Sequence, residues 1–541
     1  MRPIIVNYGF LIPKGHKLRL SRQAAQLSFI AKGHKFRLSR QAAQLSFIAK
    51  GHKFRLSGQA AQLSFILGIT ALLLPGTVFA DGETAAAPLQ HIDLTHHWAG
   101  YFSLVVMIFA YITAMFEEAT ELRKSKPMLL AAGLIWLVIV VAYQQQGNDH
   151  FAVTAFKSNM QAYIELLLFI MVSMTYLNAM EDMRIFDALK VRLVGMHLSY
   201  RQLFWITGLL VFFISSVVNG LTAGLLMGAV VVAVGKDSPR FVSLACINII
   251  VATNAGGSFS PLGGISTLFV WQHGILGFTE FFKLFIPCLV NFFVPALVMN
   301  FSVPKDRPDI DDEQVHLLRG AKRVIFLFGI TISLAVTFDM KLHLPAAAGM
   351  MAGLSLLQFF YYYLNRINKE NTYKQSEFAL FFGSGKINSS ASEISRLDIF
   401  DKVGRLEWDT LFFFYGAMMG ISGLGYIGYL DAISQVLYGQ LSPTLANVLI
   451  GLSSAFVDNG TLMFAVLTMH PDISQGQWLL LTLTLGVGGS LLAIGSAPGI
   501  GLLGQAKGQY TFTSHMKWCP MILLGYFASI GVHFLINSKS F

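Results

Sequence analysis

The sequence predicts an all-α polytopic membrane protein with about 10–13 transmembrane segments and two structural repeats that contain broken or re-entrant helices. Three observations predict this class. The 541 residues are 54% hydrophobic and only 13% charged, which is more apolar surface than one soluble core buries. Apolar runs long enough to cross or nearly cross a hydrocarbon layer of about 30 Å recur along the chain. Polar, glycine-rich interruptions occupy matching places in two parts of the chain.

The first 62 residues form a basic leader that contains all but the last five residues of an internal repeat. Its 18-residue unit occurs three times, at Lys14–Ala31, Lys32–Ala49 and Lys50–Leu67, and the copies differ at only three positions. Such a unit fits a basic interfacial helix or a transit peptide. Copies under selection for a packed or binding role drift apart, however. We therefore interpret residues 1–62 as a duplicated leader without a function of its own.

Residues 63–80 have the pattern of a secretory signal. The apolar run Ile66–Phe79 follows basic residues and ends in Val78-Phe79-Ala80, with small residues at the −3 and −1 positions. An uncleaved first membrane helix is the alternative. Either interpretation places Asp81 outside the cytoplasm and the loop Gln144–Asn159 on the same outer side. The positive-inside rule, by which loops rich in Lys and Arg face the cytoplasm, then places two basic groups there. The first group is Arg123, Lys124 and Lys126, and the second is Arg184, Lys190, Arg192 and Arg201.

The formal net charge of +10 belongs to the leader rather than to the transporter body. Residues 1–80 carry twelve Lys and Arg and no acidic residue, which leaves 27 basic and 29 acidic side chains in the remainder. A nearly neutral body argues against a nucleic-acid partner. The expected partners are the lipid bilayer and small cations, and the oligomeric state, including a homo-oligomer, stays open.

The apolar runs divide the body into two halves. We expect the first half of the transporter at 81–364, a linking loop with little ordered structure at 365–402 and the second half at 403–541. No soluble catalytic domain is left over, so we expect no enzymatic activity. The clearest membrane segments are Tyr101–Phe116, Met128–Tyr143, Tyr163–Tyr176, Phe204–Val218, Phe285–Phe301, Val324–Phe338 and Met521–Ile536.

The polar interruptions form an internal duplication. In the first half, Ser215 precedes Asn219-Gly220 by four residues, and in the second half Ser454 precedes Asp458-Asn459 by the same distance. Each is followed by a Gly-Gly-Ser run, Gly256-Gly257-Ser258 or Gly488-Gly489-Ser490. Interruptions at matching places are typical of transporters in which unwound backbone and half-helix ends form an ion site near the membrane midplane. Close helix packing explains the glycines but not an intramembrane Asp458.

At these residues the chain resembles the NhaD-type sodium/proton antiporters of the ion transporter superfamily. The likeness extends from about His91 to Asn537 and rests on strings such as IDLTHHWAGY, LSYRQLFWITG, LLMGAVVVAVGKD, NAGGSFSP, EWDTLFFFYG, SAFVDN and GQAKGQYTF. The resemblance implies alternating-access exchange of Na⁺ or Li⁺ for H⁺, without a cofactor, in a bacterial inner membrane.

The resemblance also implies a set of ion-binding residues. A carboxylate in a water-accessible membrane cavity holds either a proton or a hard cation, and oxygen-bearing neighbours complete the cation shell. By the family pattern, Asp458 with Asn459 and Ser454 forms one half of the site, and Asp409 is a further acidic residue near the pathway. The remaining candidate ligands are polar residues at matching family positions: Asn219, Asn254, Ser215, Ser266, Thr267 and Ser496.

The first half departs from the family pattern. Asn219-Gly220 stands where the family carries Asp-Asn, and Gly264 stands where it carries an acidic residue. Asn219 offers an oxygen but cannot bind and release a proton, so impaired antiport is one expectation. Two further hypotheses stay open: an anion or neutral-solute carrier of the same superfamily, favoured by the lost acids and by helix N-termini that attract anions, and a non-transporting paralogue.

Histidines and cysteines add two smaller expectations. His96 and His97 at the entry to the first helix, and His273 after the first-half polar loop, are candidate pH sensors because histidine titrates near neutrality. Hydrated histidines at a membrane interface are the simpler alternative. The three cysteines show no metal-ligand spacing, so no metal is expected beyond the transported cation.

Overall fold

The computed structural model describes residues 93–115, 117, 121–145, 147, 149–196, 198–308, 320–382 and 399–541. The predicted leader at 1–62 and the signal-like segment at 63–80 lie outside these residues. Within the described ranges the regular structure is entirely helical. The prediction of an all-α chain is confirmed.

Eight of the described helices are long and apolar enough to cross a membrane, and four shorter apolar helices accompany them. The chain is therefore a polytopic integral membrane protein, as its composition predicts. The three spans that precede the first repeat are α1 (Trp98–Met115), α2 (Ser125–Gln145) and α3 (Asp149–Asp182). Since α3 begins at Asp149, most of the predicted loop Gln144–Asn159 is helical.

The first repeat follows a short helix, α4 (Ile185–Val194). Its helices are α5 (Tyr200–Ser215), α6 (Gly220–Val234), α7 (Pro239–Ser258), the half-length α8 (Ile265–Gln272), and α9 (Phe285–Asn300), which a 3₁₀ turn at Glu280–Leu284 precedes. A capping box at Ser199 and Gln202 starts α5, in which each side chain bonds the backbone N–H of the other residue. The interruption between α5 and α6 is the one that the sequence pattern predicts.

Two long helices and one short one connect the repeats: α10 (Ala321–Leu342), α11 (Ala346–Phe382) and α12 (Ile399–Gly404). The structure differs here from the predicted linking loop at 365–402, because α11 continues to Phe382. No proline or glycine lies between Gly353 and Gly383, so nothing in the backbone stops the helix. The rest of that segment up to Asp398 lies outside the described residues.

The second repeat is preceded by α13 (Trp408–Ile427), α14 (Tyr429–Ser434) and a π turn at Gln435–Gln440. It then reproduces the order of the first repeat. Its helices are α15 (Pro443–Ser453), α16 (Asn459–Met469), α17 (Gln475–Gly488), the half-length α18 (Ala497–Gln505), α19 (Phe512–Met516) and α20 (Cys519–Ile536).

The two repeats exchange their half-length helices. Helix α8 of the first repeat packs on α16 of the second, and α18 of the second packs on α6 of the first. The glycines of α6 make this approach close, because a Cβ at Gly224 would lie 2.9 Å from the Pro498 Cβ and one at Gly228 only 2.2 Å from Leu502. Helices α7 and α17, and likewise α9 and α20, pack on each other across the repeats. Each half-length helix therefore packs against the opposite repeat.

Candidate functional site

Asn219 and Asp458 occupy equivalent positions in the two repeats. Each is the N-cap of the helix after the interruption, with φ −47° and ψ 130° at Asn219 and φ −54° and ψ 132° at Asp458. The Asn219 Oδ1 accepts a hydrogen bond from the Leu221 N–H at 3.1 Å, and the Asp458 Oδ2 accepts one from the Thr461 N–H at 3.1 Å. The duplication in the sequence is therefore a duplication of backbone geometry.

Ser215 and Ser454 hold the end of the helix before each interruption. Both are fully buried, and each donates its hydroxyl to a carbonyl one turn earlier, to Phe212 at 3.2 Å and to Gly451 at 2.9 Å respectively. Ser454 also lies 3.0 Å from the Leu485 carbonyl of the adjacent helix. The two hydroxyls are thus engaged with backbone at the break.

Glycines allow the neighbouring helix to reach these breaks. A Cβ at Gly256 would lie 2.1 Å from the Phe212 carbonyl oxygen, and one at Gly488 would lie 2.0 Å from the Gly451 carbonyl oxygen. Real Cβ atoms do not approach so closely, so both positions require glycine.

The half-length helices also begin at equivalent places. Gly264 (φ −141°, ψ 155°) is the N-cap of α8, and Ser496 (φ −144°, ψ 150°) is the N-cap of α18. Asn254 of α7 donates its amide to the Ser496 hydroxyl at 3.0 Å, which ties the first repeat to the second. Thr267 donates to the Gly264 carbonyl at 2.7 Å, and the neighbouring Ser266 is buried.

Helix N-termini converge in pairs at these caps. The start of α6, at Asn219, lies beside the start of α18, while the start of α16, at Asp458, lies beside the start of α8. A Cβ at Gly460 would lie 3.0 Å from Ile265 and 3.1 Å from the Asp458 carboxylate. Helix N-termini carry partial positive charge, so a cation here needs a carboxylate, and the second pair has one in Asp458. Asn459 begins α16 beside it.

A cavity of about 50 Å³ lies at the two first-repeat caps, since Asn219 before α6 and Gly264 before α8 both line it. It is large enough for an ion with little accompanying water. Ile265 and Phe414, which line it, also surround Gly460 next to Asp458. The polar or backbone groups that line this cavity come from the first repeat and from α3 and α13, which lie outside the repeats: Ser173, Asn219, Gly263, Gly264 and Thr410.

Asp409, which the sequence predicts near the ion pathway, does not line the cavity. Its carboxylate accepts a short hydrogen bond from Ser125 at the first residue of α2, and the Lys124 ammonium lies 4.9 Å from the Phe413 ring nearby. Thr410, the next residue, lines the cavity in its place. Asp409 therefore joins the starts of α2 and α13.

An acidic vestibule of about 370 Å³ adjoins the cavity. It shares Met174 with the cavity, and Thr222 lines it one turn beyond Asn219. Burial raises the pKa of the Glu407 carboxyl above its usual range, against the opposing influence of Thr410 and Lys124. The charged side chains of the vestibule are Glu181, Asp187, Arg405 and Glu407.

The three candidate sensor histidines do not contact the cavity. His96 is exposed and lies 3.4 Å from the Tyr101 hydroxyl, and His97 accepts a hydrogen bond from the Ala99 N–H at 3.3 Å. His273 lies 2.9 Å from the Phe269 carbonyl, at the far end of α8 from Gly264. Their role as pH sensors stays a prediction.

Sequence reasoning missed three polar residues near Asp458 and the cavity: Tyr111, Thr410 and Thr461. Thr461 donates both its backbone N–H and its hydroxyl to the Asp458 carboxylate. An acidic N-cap accepts a hydrogen bond from the backbone N–H two or three residues later, so Asp458 itself is the signal that points to Thr461. Nothing local marks Tyr111, because it stands in an ordinary apolar helix and reaches the site only through tertiary packing.

Comparison with known proteins gives a consistent result. A family model described as a citrate transporter matches residues 104–486. The Na⁺/H⁺ antiporter NhaD of Vibrio cholerae is 50% identical over 470 residues, which cover 87% of this chain and 98% of that protein. NhaD of Halomonas elongata is 47% identical over 475 residues, covering 88% and 96%. Sodium/proton antiporter 1 of Arabidopsis thaliana is 25% identical over 474 residues, covering 84% and 77%.

Proposed function

Because the chain belongs to the NhaD family of sodium/proton antiporters, we propose that it exchanges Na⁺ or Li⁺ for H⁺ by alternating access in a bacterial inner membrane. The observation that carries the proposal is Asp458, a carboxylate at two converging helix N-termini beside an ion-sized cavity. The exchange needs no cofactor and no covalent chemistry.

Competition at one carboxylate accounts for the exchange. A protonated Asp458 is neutral and binds no cation, whereas an ionised Asp458 attracts Na⁺ strongly in a site of low dielectric constant. Oxygens of Thr461 and of the first-repeat Asn219 are available to complete the cation shell. Binding of one ion therefore requires release of the other.

The acidic vestibule supplies the route from one side. It lies beside α4, whose Lys190 and Arg192 belong to the group that the inside rule assigns to the cytoplasm. Acidic walls raise the local concentration of cations at the mouth of a cleft. We propose that Glu181, Asp187 and Glu407 form the cytoplasmic entrance for Na⁺.

A carrier for an anion is the second candidate. It is favoured by the citrate-transporter description of the family model and by the α6 and α18 N-termini, which meet at Asn219 and Ser496 without an acidic side chain. An anion would bind at that pair, whereas a cation would bind at the Asp458 pair.

Proton flux in everted vesicles distinguishes the candidates. Addition of Na⁺ or Li⁺ to energised vesicles is expected to dissipate the proton gradient, while K⁺ and choline leave it intact. Citrate added as a potassium salt should have no effect. Dissipation by citrate without a Na⁺ response would establish the second candidate, and no response to any ion would indicate a non-transporting paralogue.

A further inference from the structure

Helix α1 brings a polar group to the Asp458 site although it belongs to neither repeat. Met107 of α1 packs on Gly420 of α13, where a Cβ would lie 2.8 Å from the methionine sulfur. Tyr111 follows one turn later on the same face. Its hydroxyl lies near the Thr461 side chain and the Asp458 carboxyl group.

The Tyr111 hydroxyl is buried without a hydrogen bond of ordinary geometry among the described residues. Buried polar groups almost always have a partner, and an exception calls for a water or an ion. A purely structural contact would not need the hydroxyl, because a phenylalanine in place of Tyr111 would fill the same space between the helices. The hydroxyl is the feature that requires an explanation.

Only one of the two oxygens of the Asp458 carboxylate accepts hydrogen bonds from described residues. The Thr461 N–H at 3.1 Å and the Thr461 hydroxyl at 3.4 Å both bond Oδ2, and no other described group bonds Oδ1. One carboxylate oxygen, Oδ1, is therefore left for a ligand.

We propose that Tyr111 is a further ligand of the transported cation at the Asp458 site. This inference rests on the proposed function. Asp458, Thr461 and Tyr111 provide one charged and two neutral oxygens, the hard donors that Na⁺ and Li⁺ prefer. The Tyr111 hydroxyl has no hydrogen-bond partner among the described residues, so its oxygen is available to the cation.

The test is Tyr111→Phe, which removes one oxygen and preserves the ring. The apparent KM for Na⁺ is expected to rise about five- to tenfold, which corresponds to the loss of one modest polar contact, with the maximal rate largely kept. The matched control is Tyr101→Phe, the same change on the same helix at an exposed tyrosine, which should leave KM unchanged. Equal KM values for Tyr111→Phe and wild type at equal membrane levels would overturn the proposal.

A second measurement separates this inference from the proposed function. Purified protein is heated with NaCl or with equimolar choline chloride, and the Na⁺-dependent rise in Tm reports binding without transport. The rise should shrink in Tyr111→Phe and persist in Tyr101→Phe. A wild type that Na⁺ stabilises but that moves no protons would reject antiport and keep the ligand assignment. A Na⁺ effect that is unchanged in Tyr111→Phe, or absent in the wild type, would overturn the assignment.

Discussion

One ionisable group distinguishes the two N-cap residues that follow the interruptions. Asn219 and Asp458 share backbone angles and the same capping role, so the surrounding fold does not make them different. Of these two side chains, only the Asp458 carboxyl can bind and release a proton. The sequence identifies both residues as a pair, and the difference between their side chains follows from the sequence as well.

Substitution of Asp458 should therefore remove exchange, while substitution of Asn219 should only weaken it. Asp458→Asn keeps an oxygen at the N-cap and deletes the charge, so Na⁺-dependent proton flux is expected to fall to background. Asn219→Ala deletes a neutral oxygen and should raise the apparent KM by a few fold. Flux is measured in everted vesicles at matched expression, and equal losses in the two variants would show that Asn219 has comparable weight.

Restored acids in the first repeat should strengthen cation binding. Gly264 has extended backbone angles, and a Cβ there would meet its nearest neighbour at 3.5 Å, so Asp fits. The double variant Asn219→Asp with Gly264→Asp is expected to raise Na⁺-dependent proton flux, because a charge replaces a dipole. The neutral control is Gly264→Asn.

A further change to asparagine at Gly220 is expected to lower the yield of that variant. A Cβ at Gly220 would lie 2.9 Å from the Thr253 methyl group, so that side chain must move.

Flux in the double variant that equals flux in the neutral control, at equal membrane levels, would contradict the role assigned to first-repeat carboxylates.

Interrupted helices and half-length helices are the elements that form the candidate site. Their N-caps are spaced by matching patterns along the chain, which is why the duplication can be recognised from the amino-acid sequence. The exchange of α8 and α18 between repeats cannot be recognised in this way. It depends on which glycine-lined groove each half-helix enters, and grooves of both repeats have similar composition.

The glycine at the end of α17 should be essential for this arrangement. Gly488→Ala places a methyl group against the Gly451 carbonyl, and overpacking of this kind is expected to cost about 2 kcal/mol or more. Thermal unfolding in detergent measures the loss. Gly504→Ala on α18 is the matched control, because a Cβ there meets nothing within 4 Å. A similar Tm in both variants would show that the break tolerates a side chain.

At the scale of the whole molecule, an ion-pair cluster joins the two halves beside the vestibule. Asp182 at the end of α3 contacts the Lys402 ammonium and accepts a hydrogen bond from Arg405 at 3.1 Å. The Lys402 side chain is only 7% exposed. The nearby Asn178 amide donates to the Lys402 carbonyl at 2.9 Å. This cluster fixes the start of the second half against α3.

Removal of Asp182 should therefore destabilise the protein. Asp182→Asn leaves a buried ammonium without its counter-ion, which is expected to cost about 3 kcal/mol. The double variant Asp182→Asn with Lys402→Met should recover most of the loss, since it also removes the unpaired charge. Thermal unfolding tests both, with the exposed Asp187→Asn as control. A double variant no more stable than Asp182→Asn would contradict this explanation.

The sequence by itself determined the membrane class, the duplication, its polar breaks and the positions of Asp458 and Asn219, because composition, spacing and helix caps are local properties. It did not determine the continuation of α11 to Phe382, into the first part of the predicted linking loop, where no proline or glycine interrupts a polar but helical segment. Only the tertiary structure decided which half-helix meets which repeat, that Asp409 joins α2 rather than the cavity, and that Tyr111 reaches Asp458. These are contacts between residues far apart in the chain, and they depend on the packing of whole helices rather than on any pattern within one of them.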